Sequence, residues 1–182
     1  MRKVIEYTLL SVDGAFEDPA RLGFMQYRDA AYLRDGLGLL SACDAMLMGR
    51  NTYESSAKIW PSRADPWALR LKEMRKYVFS STLNDATWNN SKLVRGDVAA
   101  EVAKLKEERG GDLLIWGHGF LGETLLKRRL IDVLDLSIHP LVVGHGKLFF
   151  RDDQKVKLKL VATKTFSYIV KLTYEPQYDV SR

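Results

Sequence analysis

The chain has 182 residues, 46% of them apolar, which is enough for one substantial core and short for two. Charged residues make up 28% and the net charge is +5, a balance that suits either an anionic ligand or a plain solvated surface. The single cysteine, Cys43, excludes an intrachain disulfide framework, and its neighbours Leu39, Leu40, Ala42 and Ala45 predict a buried, inert thiol.

The opening "MRKVIEYTLLSVDG" is interrupted by Glu6 and meets no small-residue cleavage site, which argues against a signal peptide. No apolar run reaches the roughly 20 residues of a membrane span, so a cytoplasmic protein is expected. "VIEYTLLSV" (4–12) is rich in β-branched and apolar residues and stops at the turn signal Asp13-Gly14, predicting a central strand. From Gln26 to Ala42, the residues Ala30, Ala31, Leu33, Leu37 and Leu40 recur at helical spacing and predict a helix despite Gly36 and Gly38. "AMLM" (45–48) reads as a short buried strand, "PWALRLKEM" (66–74) as a helix opened by its proline, and "KYVFSS" (76–81) as the next strand.

Asp97 can cap a helix that carries Val98, Val102 and Leu105 on one face and ends at Gly110-Gly111. "DLLIW" (112–116) is an apolar strand running into "GHGFLG" and a short helix with Leu121, Leu125 and Leu126. "LDLSIHPLVVG" (134–144) predicts a long strand, with Pro140 marking an edge or a bulge. In "KVKLKLV", Val156, Leu158 and Leu160 alternate with Lys155, Lys157 and Lys159, a strand with one solvated face rather than a nucleic-acid stripe. "YIVKLTY" (168–174) should pair back on it as a hairpin. Without repeats or Pro-, Gly- or Ser-rich linkers, residues 1–182 read as a single α/β domain, mostly parallel, with an antiparallel end.

Three strand exits share one character. Gly49, Arg50, Asn51 and Thr52 follow "AMLM", Ser80, Ser81 and Thr82 follow "KYVF", and Gly117, His118, Gly119, Phe120, Leu121 and Gly122 follow "DLLIW". If those strands are parallel neighbours, the exits share the sheet edge where open α/β sheets bind ligands. Glycines let backbone N–H groups approach an anion, hydroxyls add donors, and Arg50 offers a planar cation to a phosphate. Each exit alone would be an ordinary turn; their recurrence in the same relative place predicts a phosphate-bearing ligand. "GHGFLG" matches G-x-G-x-x-G, but it comes too late in the chain for a Rossmann first unit. "GHGK" (144–147) lacks the spacing of a P-loop and reads as a glycine turn. His118, His139 and His145 share no ligand spacing, so no metal site is expected.

The stretches "SVDG" (11–14), "MGRNTYE" (48–54), "VFSSTL" (78–83), "IWGHGFLGETLL" (115–126), "LIDVLDLSIHPLVVGHGKLFF" (130–150) and "LTYEP" (172–176) occur in an order that spans nearly the whole chain. Together they resemble the dihydrofolate reductase superfamily, and within it the riboflavin-biosynthesis reductase of the RibD C-terminal type. The resemblance implies a dihydrofolate reductase-like three-layer α/β fold: a mostly parallel mixed sheet of about eight strands, helices on both faces and an antiparallel C-terminal hairpin.

It also implies NADPH as cofactor. Arg50 and Thr52 would contact its phosphates, Ser80, Ser81 and Thr82 its adenosine 2′-phosphate, and Gly117 to Gly122 its pyrophosphate, with Gly49 permitting the turn. His118 interrupts the glycine pair of the dihydrofolate reductases, and Val133 stands where many relatives have glutamate. Hydride would pass to a polarised C=N or C=O carbon, with a proton from an acid or a water. Asp13 is the candidate for orienting substrate or relaying that proton, although Asp-Gly is also an ordinary turn. Gly14, Tyr53 and Trp60 are candidates for the substrate side, Tyr53 and Trp60 being equally suited to core packing. The first helix offers Asp29 and Asp35 for the acid that dihydrofolate reductases carry there.

The implied activity is reduction of a small heterocycle such as 5-amino-6-(5-phosphoribosylamino)uracil. The zinc deaminase domain of the bifunctional enzyme is not expected in this chain. The alternatives are a dihydrofolate or pterin reductase and a non-catalytic NADP-binding module. A homodimer is expected from the apolar edge read at 134–144.

Overall fold

A computed structural model describes residues 1–150 and 155–178. Its strands are β1 (Val4–Ser11), β2 (Cys43–Gly49), β3 (Arg75–Phe79), β4 (Ser91–Val94), β5 (Asp112–Trp116), β6 (Val133–His139), β7 (Lys157–Thr165) and β8 (Val170–Gln177). They form one sheet in the order β4-β3-β2-β5-β1-β6-β8-β7. Every pairing from β4 to β6 is parallel, whereas β8 runs antiparallel to β6 and β7 folds back antiparallel on β8.

The helices are α1 (Ala30–Ala42), α2 (Arg50–Ile59), α3 (Pro66–Glu73), α4 (Val98–Glu107) and α5 (Gly119–Lys127). Residues of α1, α2 and α3 pack with Met46, Met48, Val78 and Leu114 on one face of the sheet. Those of α4 and α5 pack with Leu47, Leu113, Ile115 and Leu134 on the other. The fold is the dihydrofolate reductase-like three-layer α/β architecture. Covering both faces explains why Ala45 to Met48 is an unbroken apolar run, every residue of it buried. Cys43 is buried as well, and burial pushes its thiol up to about 12.

Four local expectations change. α1 starts at Ala30, where Asp29 accepts from the Tyr32 N–H; Phe24–Tyr27 instead forms a 3₁₀ turn. β4 is an additional strand. β6 ends at His139, because Pro140 lacks the N–H a further rung would need and Leu141 to Gly144 continue as a loop. That strand is also no edge, being paired with β1 on one side and β8 on the other. The outer edge on that side is β7, where Leu160 and Val161 are each 51% exposed beside a register shift between Leu160 and Ala162. No helix among the described residues is long and apolar enough to cross a membrane.

Candidate functional site

The order β3-β2-β5 sets the three strand exits side by side, about 5 Å from neighbour to neighbour. Side chains join them. Arg50 donates from Nη1 to Thr82 Oγ1 at 2.9 Å, bridging the β2 and β3 exits, while its Nε pairs with Glu54 at 2.9 Å. A Cβ on Gly117 would lie 2.9 Å from Thr52 Oγ1, so the β2 and β5 exits touch as well.

The helices that start here differ from the others. Aspartate side chains cap α1, α3 and α4 through Asp29, Asp65 and Asp97. α2 and α5 begin at Gly49 and His118 with no side-chain cap. First-turn N–H groups without a cap, at the positive end of a helix dipole, suit an anion. The space is open too. A Cβ on Gly49 or Gly119 would meet nothing within 4 Å, and Gly119 at φ +53° and Gly117 at φ +79° use left-handed backbone that glycine favours. The residues present therefore fit a dinucleotide's phosphates: backbone donors, open glycines and a half-exposed guanidinium on three adjacent exits.

The candidate residues divide by role. Ser81 and Thr82 are exposed, but Ser80 Oγ accepts from the Thr82 and Leu83 N–H groups and so holds the turn. Arg95, which sequence reasoning missed, supports the same turn by donating to the Ser81 and Leu83 carbonyls at 2.9 and 2.8 Å. Phe120 is 77% exposed, whereas Leu121 packs into the core. The His118 imidazole turns inward, with Nδ1 2.5 Å from Glu6 Oε1, so only its backbone belongs to the exit. A Cβ on Gly122 would collide with that same Glu6 and His118, which makes Gly122 a packing glycine.

Tyr53 is buried and its hydroxyl accepts from the Trp88 N–H at 2.8 Å. Trp60 lies partly buried against the same core, with Arg63 5.0 Å over its ring. Both thus stand as packing residues of the α2 face. Gly14 takes φ +83° and its carbonyl accepts from the Phe149 N–H at 2.9 Å.

Asp13 accepts from Ser11 Oγ at 2.5 Å, Val143 N at 3.1 Å and Gly144 N at 2.7 Å. Those bonds, the Ser11 hydroxyl first, lower its carboxyl to about 2. An acid that strong is ionised at neutral pH and holds no proton to give. Asp13 ties the β1 exit to the loop after β6.

On the α1 side, β1 and β6 carry a polar group that sequence reasoning did not assemble. The Tyr7 and Tyr32 hydroxyls are 2.6 Å apart, buried, with Ser137 beside them. Lys171 on β8, buried, pairs with Asp135 at 3.1 Å and with Asp35 of α1, which Lys164 also reaches. Burial raises the Asp135 carboxyl despite Lys171. Burial acts the same way on Asp35, but the bonds from Lys164 and Lys171 outweigh it and lower that carboxyl. Closer to the ligand edge, Phe24 stacks on His139 with centroids 4.7 Å apart. The available signal was polar residues at alternate positions of an otherwise apolar β6: Asp135, Ser137 and His139.

Comparison with known proteins agrees with this architecture. The family model described as the RibD C-terminal domain matches residues 2–172. The chain belongs to the RibD C-terminal domain family. It is 36% identical over 143 residues to the uncharacterized protein YyaP of Bacillus subtilis, covering 74% of this chain and 75% of that one. A second B. subtilis protein, the uncharacterized YwjB, is 25% identical and covers 95% of this chain and 97% of its own length.

Among solved structures, a pyrimidine reductase-like protein from Corynebacterium diphtheriae superposes with a TM-score of 0.73 at 13% identity, over 98% of this chain and 93% of that one. The Thermotoga maritima diaminohydroxyphosphoribosylaminopyrimidine deaminase/5-amino-6-(5-phosphoribosylamino)uracil reductase superposes with a TM-score of 0.67 at 14% identity. That match covers 97% of this chain and 57% of the bifunctional protein. At such identities these structures share the fold.

Proposed function

We propose that the chain is an NADPH-dependent reductase of a small heterocyclic substrate, similar in kind to the 5-amino-6-(5-phosphoribosylamino)uracil reductase named for the Thermotoga protein. The observation that carries this reading is the pair of uncapped helix N-termini, α2 and α5, with Arg50 opening α2 and donating to Thr82 on the neighbouring β3 exit. The first turns of α2 and α5 would hold the pyrophosphate, Gly119 giving it room. Arg50, Ser81 and Thr82 would hold the 2′-phosphate, and Arg95 and Ser80 keep their turn in shape. When bound, the nicotinamide supplies the hydride. Asp13, fixed as a carboxylate, positions the β1 exit, and the proton comes from another group or from water.

The pterin-reductase alternative has less support. Asp29 is committed to capping α1 and to the Ser167 N–H, and Asp35 to Lys164 and Lys171, so the first helix has no carboxylate to spare for a pterin. A homodimer formed through the unpaired edge of β7, where Leu160 and Val161 are exposed, completes the proposal, and light scattering at micromolar concentration should give about twice 20.8 kDa. The deciding experiment is calorimetric titration with NADPH and NADH, followed by NADPH oxidation in the presence of aminouracil and pterin substrates. Tight NADPH binding with turnover supports the reductase. Binding without turnover on any substrate favours a non-catalytic NADP-binding module, and no binding overturns both.

A further inference from the structure

The turn that opens α5 has a glycine on each side of a single side chain. Gly117 takes φ +79° and Gly119 φ +53°, so the backbone can pivot before and after His118. No side-chain cap among the described residues holds this N-terminus, and its first helical bond runs from Gly122 N to His118 O at 3.0 Å. The one side chain between the pivots, the His118 imidazole, ties the turn to the sheet.

That tie is deep and directional. Glu6 lies within β1, paired with Ile115 of β5 on one side and Leu134 of β6 on the other. Its carboxyl meets His118 Nδ1 at 2.5 Å, and both side chains are completely buried. Phe149 lies against the imidazole at 4.1 Å between centroids, and Phe16 meets it edge-on at 5.1 Å. Gly122 has no Cβ where Glu6 and His118 pass. Among the described residues, Glu6 Oε2 and His118 Nε2 have no hydrogen-bond partner, so the pair leaves polar groups unmatched that apolar side chains would not carry. Replacing a buried pair by apolar residues of similar volume is often neutral or stabilising. Stability alone thus gives no reason for a glutamate here. Direction does, because a short hydrogen bond to a carboxyl orients the ring as an apolar contact cannot.

We propose that His118 is a positioning residue for the phosphate edge: through its bond to Glu6 it holds the first-turn N–H groups of α5 where an anion meets them. The proposal rests on the reductase reading for the name of that anion, the pyrophosphate of NADPH, but it concerns the geometry of the turn alone. The imidazole acts from behind the turn, since it faces Glu6 inside the sheet layer and not the open exit. A turn held in advance gives up little freedom when the anion arrives. Once released, it pivots at Gly117 and Gly119 and has to be ordered by the ligand, and ordering the backbone of one residue lowers affinity by about tenfold.

The test compares variants that keep the bond with one that removes it, by calorimetric titration of the full chain with NADPH and with inorganic pyrophosphate. His118→Asn puts an amide N–H close to the position of Nδ1, and Glu6→Gln keeps an acceptor opposite the ring. Both should bind within about threefold of the wild type. Glu6→Leu combined with His118→Ala leaves no buried charge unpaired, so it should still melt cooperatively while binding both ligands about tenfold more weakly. The wild type gives a readout that no variant's stability affects: NADPH should shift the 15N signals of the His118 ring, assigned by their loss in His118→Asn. Equal affinities across the set, a His118→Asn protein as weak as the double variant, or ring signals unmoved by NADPH would overturn the proposal. Pyrophosphate binding that follows the bond, without NADPH binding, sinks only the reductase reading. NADPH binding that ignores the bond sinks only the positioning role, and binding of neither ligand sinks both.

Discussion

Between β3 and β5 the sheet edge is open: its helix N-termini lack side-chain caps, Gly49 and Gly119 face empty space, and Arg50, Ser81 and Thr82 are exposed. Between β1 and β8 the same sheet buries charged groups and pairs them with each other, as Lys171 does with Asp35 and Asp135. The open half leaves hydrogen-bonding capacity unused, which a protein can sustain where water fills in until an anion arrives. The closed half cannot leave charge unmatched without a loss of stability. Substitutions in the two halves should therefore separate, with binding lost on one side and stability on the other.

The largest effect is expected in the closed half. Lys171→Ala removes the cation between two carboxylates, of which Asp135 is 5% exposed. Breaking a buried pair from one side costs about 3–5 kcal/mol, on the order of 10 °C in Tm for a chain of this size. Differential scanning calorimetry checks it. A loss within 2 °C would mean that Asp135 and Asp35 find other partners, and the contrast between the halves would weaken.

Arg50→Ala is the counterpart in the open half. Its guanidinium is about half exposed, and its partners Glu54 and Thr82 can hydrate when it is gone. Tm should hardly change. NADPH affinity should fall by about tenfold or more, since a charge-assisted contact is worth roughly 1.5–3 kcal/mol, while NADH affinity falls much less. Equal losses for the two cofactors would move Arg50 away from the 2′-phosphate.

The open half was legible in the sequence and the closed half was not, for a physical reason. Each exit is a contiguous stretch: an apolar strand, then glycine, then donors, so Gly49-Arg50 and Gly117 to Gly122 announce themselves. Only the neighbour relation β3-β2-β5 had to be supplied by the fold. The closed half is assembled from single residues far apart in the chain: Asp35 and Lys171, for example, are 136 positions apart. Asp135, Ser137 and His139 did alternate with apolar residues, but the strand was read as apolar, with Pro140 marking an edge or a bulge. Leu141, Val142 and Val143 prolonged that misreading past Pro140, although Val142 is 71% exposed. β4 escaped because its four residues include Ser91 and Lys92 and carry too little apolar pattern to register.

"GHGFLG" contains the boundary between the halves, and its glycines should behave differently. A Cβ on Gly122 runs into Glu6 and His118, so Gly122→Ala should destabilise the fold by about 1–3 kcal/mol, the usual cost of overpacking. Gly119→Val places its side chain in open space at φ +53°, so about 1–2 kcal/mol of backbone strain is the most it should add. Its branched side chain would fill the room next to the α5 N-terminus, and NADPH binding should be lost from a protein that still melts cooperatively. Thermal melting and NADPH titration of both variants give the answer. A Gly119→Val protein that binds NADPH normally would place the pyrophosphate elsewhere.

The smallest effect concerns Asp13, which ties the β1 exit of the closed half to the loop after β6 through Val143 and Gly144. Its carboxyl is lowered to about 2 by hydrogen bonds from Ser11 and from the Gly144 and Val143 amides. A depressed folded-state pKa means that the ionised form is favoured by folding. The contribution to stability is therefore fully present above the unfolded carboxyl's pKa of about 4 and fades as pH falls towards about 2. Asp13→Asn should accordingly melt slightly below the wild type at pH 7, and the difference should shrink between about pH 4 and pH 2. If turnover is measurable, the pH profile of kcat/KM should keep its shape in Asp13→Asn, because a carboxylate already ionised at neutral pH is not the proton donor. A profile that loses its acidic limb in the variant would return Asp13 to the chemistry and make the tie between the β1 exit and the loop after β6 a catalytic one.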